Sequence, residues 1–363
     1  MNTLAGMRIG LVGPLPPPAG GMAMQTRQLA ELLRGAEADV TLVQTNAPYR
    51  PAWLGHIPLA RAFARLLPYL LHLWRAAGRV DVMHLMANSG WSWHLFAAPA
   101  IWVGRLRGVP VVVNYRGGEA AAFLARSGLA VRASLRRAAG LIVPSGFLQE
   151  VFGQHGMTAD IVPNIVDLTR FHPGGARRSE PHLLVARNLE ALYDNATALR
   201  AFVQVLAQHP AARLTLAGSG PQETELRALA AELGIDDRVH FSGRLNREQM
   251  AALLRDCHVS INPSLADNMP NSVLEALASG VPVVSTNVGG VPFLVQHEVS
   301  ALLVPPGDAS AMAQAVLRLL ATPSLARALA EAGMQQAQRY TWVEVGPRLA
   351  GVYAAARTAA RRR

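Results

Sequence analysis

Two carboxylates, Asp267 and Glu275, stand eight positions apart in residues 262–290, which read NPSLADNMPNSVLEALASGVPVVSTNVGG. Asp267-Asn268-Met269-Pro270 has turn chemistry, and a proline is tolerated in the first turn of a helix, where a missing N–H leaves no bond unmade. Val273, Leu274, Leu277 and Ala278 then recur at helical spacing, and Gly280 can supply a left-handed stop. Asp267 is therefore expected just before a helix, and Glu275 inside it about two turns on. A helix start offers unpaired N–H groups and a partial positive charge, which suits a phosphate. The segment thus combines two acceptors for hydroxyls with an anion site, a chemistry fit for a sugar carried on a diphosphate.

Further candidates sit where strand-like runs end. Gly13-Pro14-Leu15-Pro16-Pro17-Pro18-Ala19-Gly20-Gly21 follows the first apolar run and is neither a dinucleotide fingerprint nor a Walker loop. Gly20 and Gly21 nevertheless allow a backbone to approach a ligand at a helix start. Arg116, in Asn114-Tyr115-Arg116-Gly117-Gly118, is placed to stabilise a departing phosphate. His84, at the end of the third run, is a candidate on the acceptor side. Arg187, the pair Gly218 and Gly220, and Arg244 end successive runs in the second half, where they could meet a diphosphate and its nucleoside.

These positions imply elements able to hold them. Strand-like runs at 7–12, 39–43, 80–85, 110–114, 140–143 and 159–162 alternate with helical stretches at 24–33, 91–107 and 119–137. A turn-rich, charged linker at 171–178 follows, and a second set begins. Its strands are at 182–186, 213–217, 238–241, 259–262, 281–285 and 301–304, with helices such as 197–208 and 222–233. Alternation of this kind predicts two parallel sheets, each covered by helices on both faces, with ligands at the carboxyl ends of the strands.

Composition narrows the class. With 363 residues, 51% hydrophobic and 16% charged, the chain has material for two cores. Its single cysteine, Cys257, excludes an internal disulfide and permits a reducing compartment. The start, MNTLAGMRIGLVG, shows no signal-peptide pattern, so a cytoplasmic location is expected. No apolar run reaches the ~20 residues that span a bilayer. All 34 basic residues are arginine and the net charge is +10, which fits anionic small molecules or an anionic membrane surface. No zinc-ligand cluster, aromatic RNA-binding signature or helix-turn-helix accompanies the charge, so no nucleic-acid partner is expected.

Residues 59–74, LARAFARLLPYLLHLW, predict a basic amphipathic helix with Phe63, Leu66, Leu67, Leu70, Leu71 and Trp74 along one broad face, kinked or split at Pro68. It could pack on the first sheet or lie in a membrane interface.

Taken together, these motifs resemble the family-four, retaining GT-B glycosyltransferases over nearly the whole chain. The residues that carry the likeness are Gly20-Gly21, Asn164-x-Val166-Asp167-x-x-x-Phe171-x-Pro173, Arg187, Ala217-Gly218-Ser219-Gly220-Pro221 and Pro263-Ser264. They continue with Asp267, Glu275 and Gly280-Val281-Pro282-Val283-Val284, the most specific block. The resemblance implies an α/β fold of two Rossmann-like, doubly wound domains facing across a cleft. Residues 1–165 would bind the acceptor and 166–340 the nucleotide sugar, and a helix in 341–363 would cross back to the first domain. It implies retaining, metal-independent transfer of a hexose from a nucleotide-diphosphate sugar, UDP-sugar favoured over GDP-sugar, to a glycan or lipid-linked acceptor in cell-surface polysaccharide or glycolipid synthesis. Glu275 would bind the ribose and Asp267 the donor sugar. The amides around Asn268, Met269, Pro270, Asn271 and Ser272 would cradle the diphosphate, with Arg187 paired to it. No further cofactor is implied. A peripheral contact with the inner face of an anionic membrane fits the charge.

Three departures stand out. The family's usual glutamate is Asp267 here. Its diphosphate-binding lysine falls near Tyr193-Asp194-Asn195 in a chain without lysine, which passes the role to an arginine such as Arg244 or leaves it vacant. Its first-domain histidine-glycine is Arg116-Gly117. A same-fold nucleotide-sugar epimerase and a non-catalytic nucleotide-sugar-binding protein are the alternatives.

Overall fold

The structure, a computed structural model, describes residues 4–17, 20–48, 58–175 and 179–361, without the side chains of 58–64. The chain divides into two compact units, Met1–Pro163 with Val345–Arg363, and Asn164–Glu344.

The first unit is built on β1 (Arg8–Gly13), β2 (Asp39–Gln44), β3 (Val82–Ala87), β4 (Val111–Tyr115), β5 (Gly140–Val143) and β6 (Asp160–Ile161). All pair in parallel in the order β2-β1-β3-β4-β5-β6. Its helices are α1 (Gly21–Gly35), α2 (Pro58–Ala77), α3 (Ala98–Leu106), α4 (Ala120–Leu135) and α5 (Gly146–Gln154). The second unit repeats the plan with β7 (His182–Val185), β8 (Arg213–Leu216), β9 (Val239–Phe241), β10 (Val259–Asn262), β11 (Val283–Thr286) and β12 (Leu302–Val304), ordered β12-β11-β10-β7-β8-β9. Around that sheet run α6 (Asn195–Gln208), α7 (Glu223–Glu232), α8 (Arg247–Asp256), α9 (Asn271–Ala278), α10 (Val291–Leu294), α11 (Ala309–Ala321) and α12 (Pro323–Ala337). The closing helix α13 (Trp342–Arg361) packs in the first unit through buried Leu349, Tyr353 and Ala356.

The strands form because they are short, β-branched and apolar on both faces, as parallel strands covered on both sides must be. β3, β4, β7, β10 and β11 are buried along their whole length. The strand order reverses between β1 and β3 in the first sheet and between β7 and β10 in the second, and each reversal is a switch point where ligands commonly bind at the carboxyl ends of the strands.

Two sequence expectations change here. Helix α2 runs unbroken through Pro68, whose ring is on the exposed side, where water can take up the carbonyl that loses its N–H partner. Its buried stripe is Tyr69, Leu73, Ala76 and Ala77, flanked by half-buried Leu66 and Leu70, while Leu67, Leu71 and Trp74 stay exposed. The single apolar face read from the sequence is therefore two faces. The Phe63 side chain lies outside the described residues. A five-residue π-helical turn, Trp93–Ala97, also interrupts the helix expected over 91–107.

Candidate active site

In the second unit the site grows from the carboxyl ends of β7 and β10, which are neighbours in the sheet. Arg187 leaves β7 with its side chain only 10% exposed, and Asp267, in the loop after β10, is 13% exposed. The two form an ion pair. Ser264 accepts hydrogen bonds from Arg187 Nε at 3.1 Å and Nη2 at 2.9 Å, and donates to Asn262 Oδ1 at 2.9 Å. The other flank of the guanidinium lies 4.7 Å from the Tyr193 ring centroid. Burial pushes the Arg187 pKa down to about 10, which still leaves it charged at neutral pH.

Asp267 also tightens its own turn, accepting from Asn268 N at 3.1 Å. From Asn268 the chain passes into α9, whose N-cap position is Pro270 rather than a residue with a capping side chain. The expected helix therefore starts one residue later, at Asn271, and its N-cap residue offers no side chain to its first N–H groups. The Ser272 hydroxyl beside them is buried without a hydrogen-bond partner. Asn164, the first residue of this unit, holds the turn from below, donating from Nδ2 to Met269 O at 2.8 Å and to Asn271 Oδ1 at 2.7 Å.

Glu275 is half-buried in the second turn of α9, and burial raises its pKa to about 7 against the opposing pull of Arg247 and Arg170. No described contact joins it to Asp267. Gly218 and Gly220 have a structural duty of their own. A Cβ at Gly218 would run into the Arg187 carbonyl, and one at Gly220 into that of Leu189, so the β8 loop can pass under the β7 loop only with glycine there. Arg244 is exposed and donates through Nε to Ser219 Oγ at 2.6 Å.

The segment where the family lysine was sought is committed otherwise. Tyr193 lies on Arg187, and Asp194, in a left-handed conformation with φ 40°, caps α6 by accepting from Thr197 N and Oγ1 at 3.3 and 2.6 Å. Ser264 and the Tyr193 ring were given no role in the site from sequence. Ser264 entered only within the Pro263-Ser264 motif, and Tyr193 only as the neighbourhood of the missing lysine.

In the first unit Arg116 ends β4 and donates through Nε to Asn114 Oδ1 at 3.1 Å and through Nη1 to Gln25 Oε1 at 3.0 Å. Burial lowers its pKa to about 10. Gln25 belongs to α1, which starts at Gly21 after Gly20 in the cap position, and a Cβ on either glycine would meet no atom within 4 Å. Pro18 and Ala19 lie outside the described residues.

His84 requires a correction. It is fully buried, with Nδ1 2.8 Å from Tyr353 Oη and Nε2 3.0 Å from Asn114 Nδ2. The amide can only donate, so Nε2 accepts and Nδ1 carries the proton that goes to Tyr353. Burial and then Arg116 push its pKa down to about 3. A neutral imidazole with both nitrogens engaged and no exposed surface cannot touch an acceptor. It links α13 to Asn114, which in turn holds Arg116.

Residues 20–164 match the model of the glycosyl transferase 4-like domain, and residues 180–322 that of glycosyl transferases group 1. A glycogen synthase of Mycobacterium tuberculosis is 30% identical over 295 residues, 77% of this chain and 70% of that protein. The chain belongs to the group 1 glycosyl transferases. Among other members, the D-inositol 3-phosphate glycosyltransferase of Acidothermus cellulolyticus is 33% identical over 60% of this chain and 53% of its own. That of Segniliparus rotundus is 30% identical over 64% and 55%. The chain thus spans about half the length of these curated relatives. Sucrose-phosphate synthase from Thermosynechococcus elongatus superposes with a TM-score of 0.77 at 24% identity, covering 96% of this chain and 98% of that one. The Anabaena protein HepE, solved with UDP and glucose, gives 0.75 at 18% identity over 96% and 99%. Likeness at that identity establishes the fold, the two-domain GT-B arrangement of Rossmann-like halves, for this member of the group.

Proposed function

We propose that this group 1 member transfers a hexose from a nucleoside diphosphate sugar to a hydroxyl of a glycan or lipid-linked acceptor, with retention at the anomeric carbon. The observation that carries the proposal is the Arg187–Asp267 pair, held by Ser264 beside the uncapped start of α9. Incoming diphosphate would lie at the positive N-terminal end of α9 and compete with Asp267 for the guanidinium. Asp267, released, would then turn its oxygens to the sugar hydroxyls, and Glu275 would accept from the ribose.

In the reaction the bond from the anomeric carbon to the diphosphate oxygen breaks while the acceptor oxygen bonds to the same face, and the acceptor proton passes to the departing diphosphate. Arg187 supplies stabilisation of the departing charge, so neither a protein nucleophile nor a metal ion is required. A UDP-sugar is favoured as donor. A lipid-linked acceptor at the inner face of an anionic membrane, in the synthesis of surface polysaccharide or glycolipid, fits the arginine-rich composition, and a sequence with a single cysteine, Cys257, fits a cytoplasmic location. Among the described residues no helix is long and apolar enough to cross a membrane.

Titrating UDP- and GDP-sugars by calorimetry, with Glu275→Ala as control, tests the assignment. Binding that disappears in the variant supports it, and unchanged affinity for the nucleoside diphosphate refutes the role of Glu275. Donor consumption without any acceptor would identify an epimerase instead, and binding without hydrolysis or transfer a non-catalytic protein.

A further inference from the structure

The first unit carries an apolar face that its own core does not use. Leu67, Leu71 and Trp74 recur at helical spacing along α2, and Trp102 and Leu106 along α3; these five side chains are between 42% and 71% exposed. Helices α2 and α3 pack against each other, as do α3 and α4. The stripes are joined by arginines lying on the indoles. Arg107, just past α3, lies 4.9 Å from the Trp74 ring centroid, and Arg137, just past α4, lies 4.0 Å from that of Trp102. Large apolar side chains grouped on an outer face are uncommon unless something covers them.

The charge of the same region says what does. Residues 58–137 contain eleven arginines and two acids, Asp81 and Glu119. Asp81 is already engaged by Arg8 at 2.8 Å. Arg75, Arg79, Arg105 and Arg136 are exposed around the apolar stripes. A second copy of this face would bring like charges together, which opposes self-association. An anionic bilayer offers the complement, with acyl chains for leucine and phosphates for arginine. A guanidinium stacked on an indole suits that boundary, since the ring can sit at headgroup depth while the cation reaches the phosphates.

We propose that α2 and α3 form a docking face that lays the first unit on an anionic lipid surface, with Leu67, Leu71, Trp74, Trp102 and Leu106 entering the interface and the surrounding arginines on the headgroups. This deepens the proposal of a lipid-linked acceptor and rests on it for its purpose. Its test needs neither donor nor acceptor, so failure of one does not imply failure of the other.

The experiment is sedimentation of the full chain with vesicles of phosphatidylglycerol mixed with phosphatidylcholine, against phosphatidylcholine alone, at low and high salt. The expected result is binding to the anionic vesicles only, weakened by salt. Leu71→Glu combined with Leu106→Glu should lower vesicle affinity about tenfold or more, and Arg75→Gln combined with Arg105→Gln about tenfold. Because all four side chains are exposed, melting temperature and nucleotide binding should stay at the parent values. Absence of binding to anionic vesicles overturns the proposal. So does binding that the leucine variant leaves unchanged, or a dimer of the parent chain that the leucine variant dissociates.

Discussion

The strand-end rims of the two units each present one buried arginine, and they hold it in different ways. Arg116 donates to the amide oxygens of Asn114 and Gln25, which fix its direction. Arg187 is held by a hydroxyl, a ring and a carboxylate, and the carboxylate neutralises it in place. Burial lowers the pKa of both to about 10, so the contrast lies in the company each keeps. A ligand anion that approaches Arg187 on the second rim must displace an internal rival, Asp267. Under the proposed function the second arrangement would couple diphosphate binding to the release of Asp267, and a bare arginine could not do that.

The severest way to break this contrast is Arg187→Ala. It strands Asp267 in a buried place, and removing one partner of such a pair costs about 3–5 kcal/mol of stability. Urea denaturation should show this loss, and calorimetry should show nucleoside diphosphate binding weaker by about 1.5–3 kcal/mol. Arg116→Ala, which removes bonds to the amide oxygens of Asn114 and Gln25, should cost clearly less stability.

Next in size is His84→Phe, which leaves Asn114 and Tyr353 without their shared partner at a cost of about 1–3 kcal/mol. If His84 serves only through Asn114 and Arg116, turnover falls while nucleoside diphosphate affinity holds. A change in that affinity would blur the separation of the two rims.

Protonation sharpens the second rim. Glu275 has its pKa raised from 4.5 to about 7, so the folded state holds a proton that the unfolded state has lost between those values. Stability should therefore decline as pH rises from about 4.5 to about 7 and level off above. Donor affinity should move the other way, because the carboxylate is the better acceptor for ribose hydroxyls, gaining about tenfold between roughly pH 6 and pH 8. Glu275→Gln should flatten both profiles.

The smallest effect expected is that of Asp267→Asn. It relieves Arg187 of its counter-charge, and nucleoside diphosphate without a sugar should bind tighter by about 1 kcal/mol. Weaker binding would show that Asp267 positions the guanidinium more than it competes for it.

The sheets were legible because buried parallel strands are short apolar runs between turn formers, and all twelve strands overlap their sequence-derived ranges. The individual members Arg187, Asp267 and Glu275 were legible too, since the first two follow strands and the third sits in the helix that follows. Their pairing was not, because Arg187 and Asp267 are 80 positions apart and no local pattern reports which side chains meet. His84 misled for a related reason: it reads as a strand end, but β3 runs on to Ala87, which leaves His84 inside the strand and facing Tyr353. Helix α2 misled because it is apolar over more than one face, so spacing alone could not say which stripe the sheet would bury.

The crossing of the β7 and β8 loops has a practical corollary for altering donor preference. Any side chain at Gly218 or Gly220 meets main-chain carbonyl carbon and oxygen, which no rotamer change can move aside. Libraries that randomise this rim should hold both positions constant and place their diversity at Tyr193, Ser264 and Arg244, where side chains form the boundary.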